Sequence, residues 1–490
     1  MKIERFISLI VLCAVFSISF CGCGKDYSKN YVYLNIETRP TSLDPQTAST
    51  DEELLIVRNI FEGLLRKNEK GEIVNGVCSS YSDDGLSLTF NLRENATWCD
   101  GTKLTADDFV FGFRRAVTPN VKATFSDRLL CIKNAREILS GRLDPSNLGV
   151  EATTENVLKI TLETRDEYFL DTLTTSVCMP CNEQFFKDTV GQYGLKADCV
   201  MGNGSYALKK WNPDDFGIRL YRNEKYNGDF AAQNAAVFIS NKKDQKPDEF
   251  FEKGSVDCAI VKSEDIPATL KTGVNKKSIQ NKVWLMTVSP QVNSRLRSGF
   301  VKAFSPDIYK DKLPESFTVA NSIYPSILSD GNSTANTPTY NLEEAKAIFS
   351  GVLKASVDKK FPSSTLIYYE NEAILPAVKS ILWHWQKNLS AFINISPAKH
   401  PEELKNQLTE KNLDFALFFV TAKSKNPNEY LKNFGKSGYD LLSAQNELLS
   451  DNTIIPIAFE DTNICYSNDI TNLFIDEENG YIDFSFAIKK

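Results

Sequence analysis

The feature of this sequence that most restricts the fold is an apolar run near the C-terminal end, residues 413–420 (LDFALFFV). A run of this kind is typical of a strand buried on both faces, which belongs to a sheet that is covered on both sides. Alternating and β-rich segments predict further strands over 31–36, 86–92, 156–162, 204–211, 217–222, 236–240, 256–261 and 282–288. Helical periodicity predicts helices over 342–354, 372–388 and 401–409. Because strands and helices interleave without a repeat, the sequence predicts an α/β protein with mixed sheets.

Two helices in the first quarter of the chain carry local signals. Apolar residues at helical spacing between Leu54 and Leu65 predict a helix that stops near Gly63. Farther along, Thr105 is followed three residues later by Asp108, a variant of the capping box, so a second helix is expected to begin there. Trp98, in a turn just before this helix, is expected to fill part of a core.

Length and charge limit the classes of protein. At roughly 100–200 residues per domain, 490 residues predict two to four domains, or lobes between which the chain crosses. The composition, with 42% hydrophobic and 24% charged residues, is that of a folded globular protein. A net charge of −7 argues against a nucleic-acid partner, which requires a basic face. The two histidines, His384 and His400, make a histidine-based zinc site unexpected, and no cofactor is predicted.

The N-terminus has the organisation of an export signal. Lys2 and Arg5 precede an apolar stretch over 6–20, which is shorter than the roughly 20 residues needed to span a bilayer. The run Phe20-Cys21-Gly22-Cys23 resembles a bacterial lipobox, in which a small residue precedes the lipidated cysteine. Residues 1–22 are therefore predicted to be a signal peptide, Cys23 the lipidation site and 23–30 a lipidated tether. The expected location is the extracytoplasmic face of the cell membrane; an uncleaved helical anchor and a non-lipidated signal are the alternatives.

The remaining cysteines do not define a chemistry by themselves. Eight lie beyond the predicted signal and Cys23: Cys78, Cys99, Cys131, Cys178, Cys181, Cys199, Cys258 and Cys465. Cys178 and Cys181 have CxxC spacing, but no second CxxC accompanies them, and the others fall at apolar, strand-like positions. Buried free thiols are the favoured interpretation, and disulfides or a redox or metal role are the alternatives.

Ten short segments, in this order, resemble one protein family. They are 42–45 (SLDP), 59–64 (NIFEGL), 83–93 (DDGLSLTFNLR), 98–102 (WCDGT), 104–109 (LTADDF), 133–138 (KNAREI), 148–150 (LGV), 202–208 (GNGSYAL), 222–226 (RNEKY) and 454–457 (IIPI). Together they resemble the bacterial extracellular solute-binding proteins of family 5, the oligopeptide- and dipeptide-binding type. Most of these segments are turns and helix ends that suit a scaffold, so the resemblance indicates a fold more directly than a ligand.

The resemblance implies a two-lobed periplasmic-binding-protein-like fold (type II, cluster C-like) with an accessory domain. It places lobe I at 31–61, 176–284 and 463–490, the accessory domain at 62–175, and a shortened lobe II at 285–462. It also implies a monomer that closes over a peptide or related small solute and delivers it to the permease of an ABC transporter. The alternative is a surface receptor or interaction protein on the same fold, with a degenerate cleft.

The resemblance also indicates candidate ligand contacts, and one of them departs from the family pattern. The family places an aspartate, which pairs with the peptide's α-ammonium, at the position of Lys423. A lysine there would repel an α-ammonium, and together with Lys425 it could hold a carboxylate instead. The candidate contacts are Ser49, Thr50, Asp51, Phe125, Thr421, Ala422, Lys423 and Ser424.

An enzyme is not expected. The adjacent acids Asp83-Asp84 and Asp107-Asp108 fall in a turn and in the first turn of a helix, where acids suit the helix dipole rather than catalysis. His384 lies between two tryptophans of a predicted helix, which favours packing over general-base chemistry. No catalytic or metal-binding residues are therefore assigned.

Overall fold

A computed structural model describes residues 30–212, 217–241, 245–328, 339–369, 373–398, 414–436, 441–478 and 481–490. The predicted signal peptide, Cys23, the tether up to residue 29 and the predicted helix over 401–409 lie outside the described residues. Among the described residues, no helix is both long enough and apolar enough to cross a membrane.

The helices and strands of the described residues alternate along the chain. The strands are β1 Tyr31–Asn35, β2 Leu65–Lys67, β3 Ile73–Asn75, β4 Cys78–Asp83, β5 Ser87–Leu92, β6 Val150–Thr154, β7 Val157–Thr161, β8 Tyr206–Lys210, β9 Ile218–Arg222, β10 Ala236–Ser240, β11 Cys258–Val261, β12 Asn275–Val288, β13 Phe317–Val319, β14 Ser364–Tyr369, β15 Ile393–Ala398, β16 Phe415–Thr421, β17 Ile454–Tyr466, β18 Ile470–Thr471, β19 Phe474–Ile475, β20 Ile482–Asp483 and β21 Ile488–Lys489. The α-helices are α1 Asp51–Ile60, α2 Ala106–Ala116, α3 Ala135–Leu139, α4 Phe169–Thr172, α5 Glu183–Asp188, α6 Pro247–Glu252, α7 Ile266–Leu270, α8 Ser294–Lys302, α9 Leu342–Ala355, α10 Leu375–Leu389, α11 Pro427–Leu431 and α12 Leu441–Ser450.

One large sheet runs through both lobes, in the order β15-β14-β16-β12-β17-β11-β1-β10-β9-β8, with β13 also paired to β17. Parallel pairs such as β1–β10 and β14–β16 occur beside antiparallel pairs such as β11–β17 and β12–β16. This pattern confirms the predicted α/β class with mixed sheets. The strands β1 and β8–β11 form the sheet of the first lobe, and β13–β16 belong to the second.

Two long strands, β12 and β17, join the lobes. They pair with each other along their length, and the end of β17 also pairs with β11 of the first lobe. The second half of β12 pairs with β16, and β17 pairs with β13 at Ala458–Glu460. The register of this pair shifts between Gln280 and Lys282, where a bulge leaves Asn281 out of the ladder. The Asn281 carbonyl accepts a hydrogen bond from the Ala422 N–H at 2.8 Å, so the bulge is tied to the chain segment that follows β16.

The strand that the sequence identifies most clearly, β16, is covered on both faces as predicted. On one side Phe415 and Leu417 pack into a cluster that includes Trp284, Phe300 and Trp385. On the other side Val420 joins a cluster formed by side chains such as Leu285, Tyr324 and Tyr430. Because both faces of this strand are buried, any register in which its apolar residues faced water would be unfavourable.

A separate antiparallel sheet, in the order β4-β5-β7-β6, lies against α2. The predicted cap of α2 is confirmed, because the Asp108 carboxylate accepts a hydrogen bond from the Thr105 N–H at 2.8 Å. The same carboxylate accepts a hydrogen bond from Nε1 of Trp98, which is fully buried as expected. This sheet lies within the range predicted for an accessory domain; the domain boundaries themselves stay predictions.

The helix α1 ends three residues earlier than the sequence predicts. After Ile60 the backbone becomes extended at Phe61, and the Asn203 side chain accepts from the Glu62 N–H and donates to the Glu62 carbonyl. Gly202 makes this approach possible, because a Cβ there would lie 2.0 Å from the carbonyl oxygen of Ile60. The helix is therefore ended by a loop about 140 residues away, which no local pattern encodes.

The eight cysteines of the described residues are free thiols, and seven of them are buried. Burial raises the pKa of Cys78 and Cys181 to about 11 and of Cys131 to about 12. Thiols with such pKa values carry little thiolate at neutral pH and are poor nucleophiles. This arrangement agrees with the favoured interpretation of the cysteines as buried free thiols.

Candidate functional site

The residues that the sequence analysis places in a cleft come from three distant parts of the chain. Residues 49–51 begin α1 in the first lobe, Phe125 precedes a 3-10 turn at Ser126–Leu129, and residues 421–424 end and follow β16 in the second lobe. The structure brings these segments together around Lys423. Each segment lies at the end or start of a regular element, so the sheets and α1 fix its position.

Lys423 joins the two lobes. Its Nζ lies 3.3 Å from Oδ1 of Asp51 and 3.3 Å from the carbonyl oxygen of Ser49. It also lies 6.0 Å from the centre of the Phe125 ring. The Lys423 side chain is 31% exposed, so the pair with Asp51 is only partly shielded from water.

A second cation in the cleft, Arg128, is a residue that the sequence reasoning missed. Its Nη2 donates to Oε1 of Glu429 at 2.6 Å and to the carbonyl oxygen of Lys423 at 3.2 Å. Its guanidinium lies 4.4 Å from the centre of the Phe125 ring, and its side chain is 6% exposed. The predicted contact Ser424 supports this arrangement, since its Oγ donates to the other oxygen of Glu429 at 2.6 Å. The only sequence signal for Arg128 is its position three residues after Phe125.

Two further ion pairs cross the cleft, one on each side of Lys423 and Arg128. Lys432 lies 2.5 Å from Asp127, and both side chains are about two-fifths exposed. Lys425 lies 3.0 Å from Glu478, and this hydrogen bond raises the pKa of Lys425. Lys425 is therefore turned toward Glu478, while it lines the cavity of about 20 Å³ together with Lys423. Joint binding of a carboxylate by the two lysines stays a prediction.

The space around these residues consists of two small cavities and one larger groove. One cavity of about 30 Å³ is lined by Arg58, Phe125, Arg128 and Lys423 among others. A second, of about 20 Å³, lies between Arg128, Lys423 and Glu429. A groove of about 550 Å³ opens beside them and shares Phe125 and Lys423 with the first cavity. Its aromatic lining includes Phe418, Phe419 and Tyr430.

The other predicted contacts have structural partners. Oγ1 of Thr50 accepts a hydrogen bond from the Glu53 N–H and caps α1. Ala422 is buried and its N–H is bonded to the bulge at Asn281. Thr421 lies on the wall of the groove. Contact of these three residues with a ligand stays a prediction.

The described residues hold no group of three or more histidine, cysteine, aspartate or glutamate side chains that could bind a metal ion. His384, for which burial lowers the pKa, lies beside the Asn388 amide on α10. The cleft instead offers guanidinium, ammonium and hydroxyl donors beside aromatic rings. Such groups make hydrogen bonds and stacking contacts.

Two mixed-sheet lobes that are joined by crossing strands and meet across a polar cleft define the class of solute-binding proteins. The family of bacterial extracellular solute-binding proteins, family 5 (middle region), matches residues 72–440 of this chain. The chain belongs to this family, as the motifs predict.

Named relatives agree with this assignment. The periplasmic murein peptide-binding protein MppA of Escherichia coli is 37% identical over 185 residues, which are 37% of this chain and 34% of MppA. The dipeptide-binding protein of Lactococcus lactis is 27% identical over 54% of this chain and 50% of that protein. The dipeptide-binding protein DppE of Bacillus subtilis is 24% identical over 95% of this chain and 93% of DppE. The matched segments thus span a third to a half of the first two relatives and nearly all of the third.

Solved structures share the fold. The pheromone receptor PrgZ, described with its mode of peptide binding, superposes with a TM-score of 0.78 over 94% of this chain and 100% of that chain, at 21% identity. Listeria monocytogenes OppA bound to peptide superposes with a TM-score of 0.77, covering 94% of this chain and 99% of that chain, at 21% identity. These likenesses confirm the two-lobed architecture that the motifs imply.

Proposed function

We propose that this chain is a solute-binding protein that captures peptides or a related small solute between its lobes and delivers them to the permease of an ABC transporter. The observation that carries the proposal is the meeting of Asp51, Phe125 and Lys423 at one inter-lobe cleft in a chain of family 5. The groove of about 550 Å³ beside them is within the range of small-molecule sites. Its aromatic side chains offer contact surface to an extended peptide.

The proposal includes attachment to the membrane through a lipid on Cys23, facing away from the cytoplasm. Its support is the lipobox-like run over 20–23 together with membership of an extracellular family. The polar segment over 24–30 would separate the lobes from the lipid and so let them reach a permease in the same membrane. Relatives of this family are solute-binding proteins, and the proposed role involves no chemical change of the solute.

A second candidate function is a surface receptor or interaction protein whose cleft no longer takes a solute. The ion pairs of Lys423, Arg128, Lys425 and Lys432 across the cleft favour it. So do the small volumes of the two cavities beside these pairs, about 30 and 20 Å³. A solute-binding protein must exchange these internal contacts for contacts with its ligand.

A ligand screen distinguishes the two functions. Residues 24–490 would be mixed with pools of di- to octapeptides, and the melting temperature would be recorded. A ligand at 100 times its Kd adds about 2.7 kcal/mol to the stability of the folded state, which raises the melting temperature. Capture of a solute predicts this rise with at least one pool. If no pool raised the melting temperature, the result would contradict the proposal and favour the receptor.

A further inference from the structure

The cavity of about 30 Å³ in the cleft has an unusual lining. Three cations, Arg58, Arg128 and Lys423, line it, and no acidic side chain of the described residues does. The remaining lining consists of apolar side chains and of hydroxyl groups such as that of Ser176. Because the lining combines cations and hydroxyl groups without a carboxylate, it offers more hydrogen-bond donors than acceptors.

Several of these donors have no partner in the described part of the chain. Nε and Nη2 of Arg58, Nε of Arg128 and Oγ of Ser176 are buried and make no hydrogen bond. The Arg58 side chain is only 4% exposed; its Nη1 donates to the Thr174 carbonyl, and Oδ2 of Asp483 lies 3.7 Å from its Nε. Buried donors without partners are costly, so a group that accepted hydrogen bonds from Arg58, Arg128 and Ser176 would be stabilised there.

The carboxylates that balance these cations all lie outside the cavity lining. Asp483 is near Arg58, Glu429 is bonded to Arg128, and Asp51 is 3.3 Å from Lys423. The pair of Lys423 with Asp51 is partly exposed and therefore weak. An anion that entered the cavity would accept hydrogen bonds from Lys423 and from the guanidinium N–H groups that make none. It would have to break only the weak pair of Lys423 with Asp51.

We infer that this cavity receives a carboxylate of the bound solute. A water needs roughly 10–15 Å³, so about 30 Å³ holds two water-sized atoms, the number of oxygens in a carboxylate. Arginine side chains bind carboxylates through two parallel hydrogen bonds. The groove that shares Phe125 and Lys423 with the cavity has room for the rest of the solute. The inference rests on the proposed function and adds that the ligand presents an anionic end here, because three cations would repel an α-ammonium.

The test uses tetrapeptides randomised over uncharged residues, so that the C-terminus is the only carboxylate. One pool has a free C-terminus, a second is C-terminally amidated, and a third is N-acetylated with a free C-terminus. Succinate and galacturonate serve as small acids without a peptide backbone. Binding to residues 24–490 is measured as the concentration of each probe that produces half of the maximal thermal shift.

We expect the free and N-acetylated pools to bind at least about tenfold more tightly than the amidated pool, since hydrogen bonds between charged groups are the strong ones. Lys423→Met should weaken the free-acid pools about tenfold while changing the amidated pool less than twofold. The Lys423 side chain is one-third exposed and its pair with Asp51 is weak, so this substitution should keep the fold and the arrangement of the lobes. Lys103→Met, at an exposed pair with Glu155, is the matched control.

Each outcome decides one claim. Equal binding of acid and amide pools, or an equal loss of both in Lys423→Met, overturns the carboxylate inference and leaves peptide binding intact. Binding of succinate or galacturonate but of no peptide pool supports the anion cavity and contradicts a peptide cargo. No shift with any probe overturns both the inference and the proposed function.

Discussion

The pair of Asp44 and Arg115 shows how one charged residue of a family motif acts. Asp44 lies in the segment 42–45, and its carboxylate is held by the guanidinium of Arg115 on α2 at 2.6 Å, with a second contact at 3.3 Å. Both side chains are 8% exposed. The pair connects the first lobe to the helix that covers the small sheet, so the motif serves the scaffold.

We expect Asp44→Ala to lower the free energy of unfolding by about 3–5 kcal/mol, because it leaves the Arg115 guanidinium buried without its carboxylate. Urea unfolding followed by circular dichroism measures the change. Glu155→Ala is the matched control, since it breaks an exposed pair with Lys103 and should cost no more than about 1 kcal/mol. Equal effects of the two substitutions would contradict this account of Asp44.

The proposed lipid anchor also depends on one residue. Cys23→Ser should abolish incorporation of radiolabelled palmitate and move the protein from the membrane fraction to the soluble fraction. The reason is that the proposed lipid is attached to the cysteine sulfur through a thioether, which serine cannot form. Cys21→Ser, two residues away, is the matched control and should keep both the label and the membrane location. Labelling that survives in Cys23→Ser and is lost in Cys21→Ser would place the lipid on the other cysteine.

At the scale of elements, the N-terminus of α1 depends on two adjacent glutamates with opposite properties. Burial by itself raises the pKa of Glu53, but hydrogen bonds from the backbone N–H groups of Ser49, Thr41 and Ser42 outweigh it and hold the pKa below its usual value. For Glu52 burial prevails and raises the pKa, although its carboxylate accepts from the Thr38 N–H. Folding therefore favours the ionised form of Glu53 and the protonated form of Glu52.

These directions predict the dependence of stability on pH. The contribution of Glu53 is present above its unfolded pKa of about 4.5 and is lost as the pH falls through its lower folded pKa. Glu53→Gln should therefore flatten the loss of stability below pH 4.5. Glu52 contributes stability below its unfolded pKa, which is lost as the pH rises through its higher folded pKa. Glu52→Gln should instead flatten the decline of stability that accompanies rising pH. Urea midpoints measured from pH 3 to 7 should therefore deviate from those of the unmodified protein in opposite directions for the two variants. Parallel curves for the two variants would contradict the assignment.

At the scale of the whole molecule, four ion pairs connect the second lobe with the first lobe and with the range predicted for the accessory domain, and they differ in burial. The pair of Arg128 with Glu429 has side chains that are 6% and 19% exposed, whereas those of Lys432 and Asp127 are 42% and 41% exposed. Attraction between charges is stronger where water is excluded and is screened by salt where it is not. The buried pair should therefore dominate the closed arrangement.

Glu429→Gln should increase the radius of gyration of the ligand-free protein. It leaves the Arg128 guanidinium buried without its carboxylate, which disfavours the closed form by about 3–5 kcal/mol. Asp127→Asn removes the exposed pair and should leave the radius unchanged. Small-angle X-ray scattering of the two variants measures both, and identical curves would show that the Arg128 pair does not hold the lobes together.

Local patterns in the sequence account for much of the fold. The apolar run over 413–420 identifies β16, the cap formed by Thr105 and Asp108 identifies the start of α2, and ten short motifs identify the family. These features are predictable because burial periodicity and capping involve residues within a few positions of each other. Such signals locate individual helices and strands, but they do not indicate which of them contact one another.

The details of the site depend on contacts across long distances in the chain. The sequence alone identified the family and named Phe125 and Lys423 as candidate site residues, whereas the export signal stays a prediction. Only the tertiary structure decided that α1 ends at Ile60, where Asn203 binds the chain, and that Arg128 meets the Lys423 carbonyl, which lies 295 positions later. Such pairs form because the folded sheets bring distant loops to one place, and neither residue carries a local pattern that depends on the other.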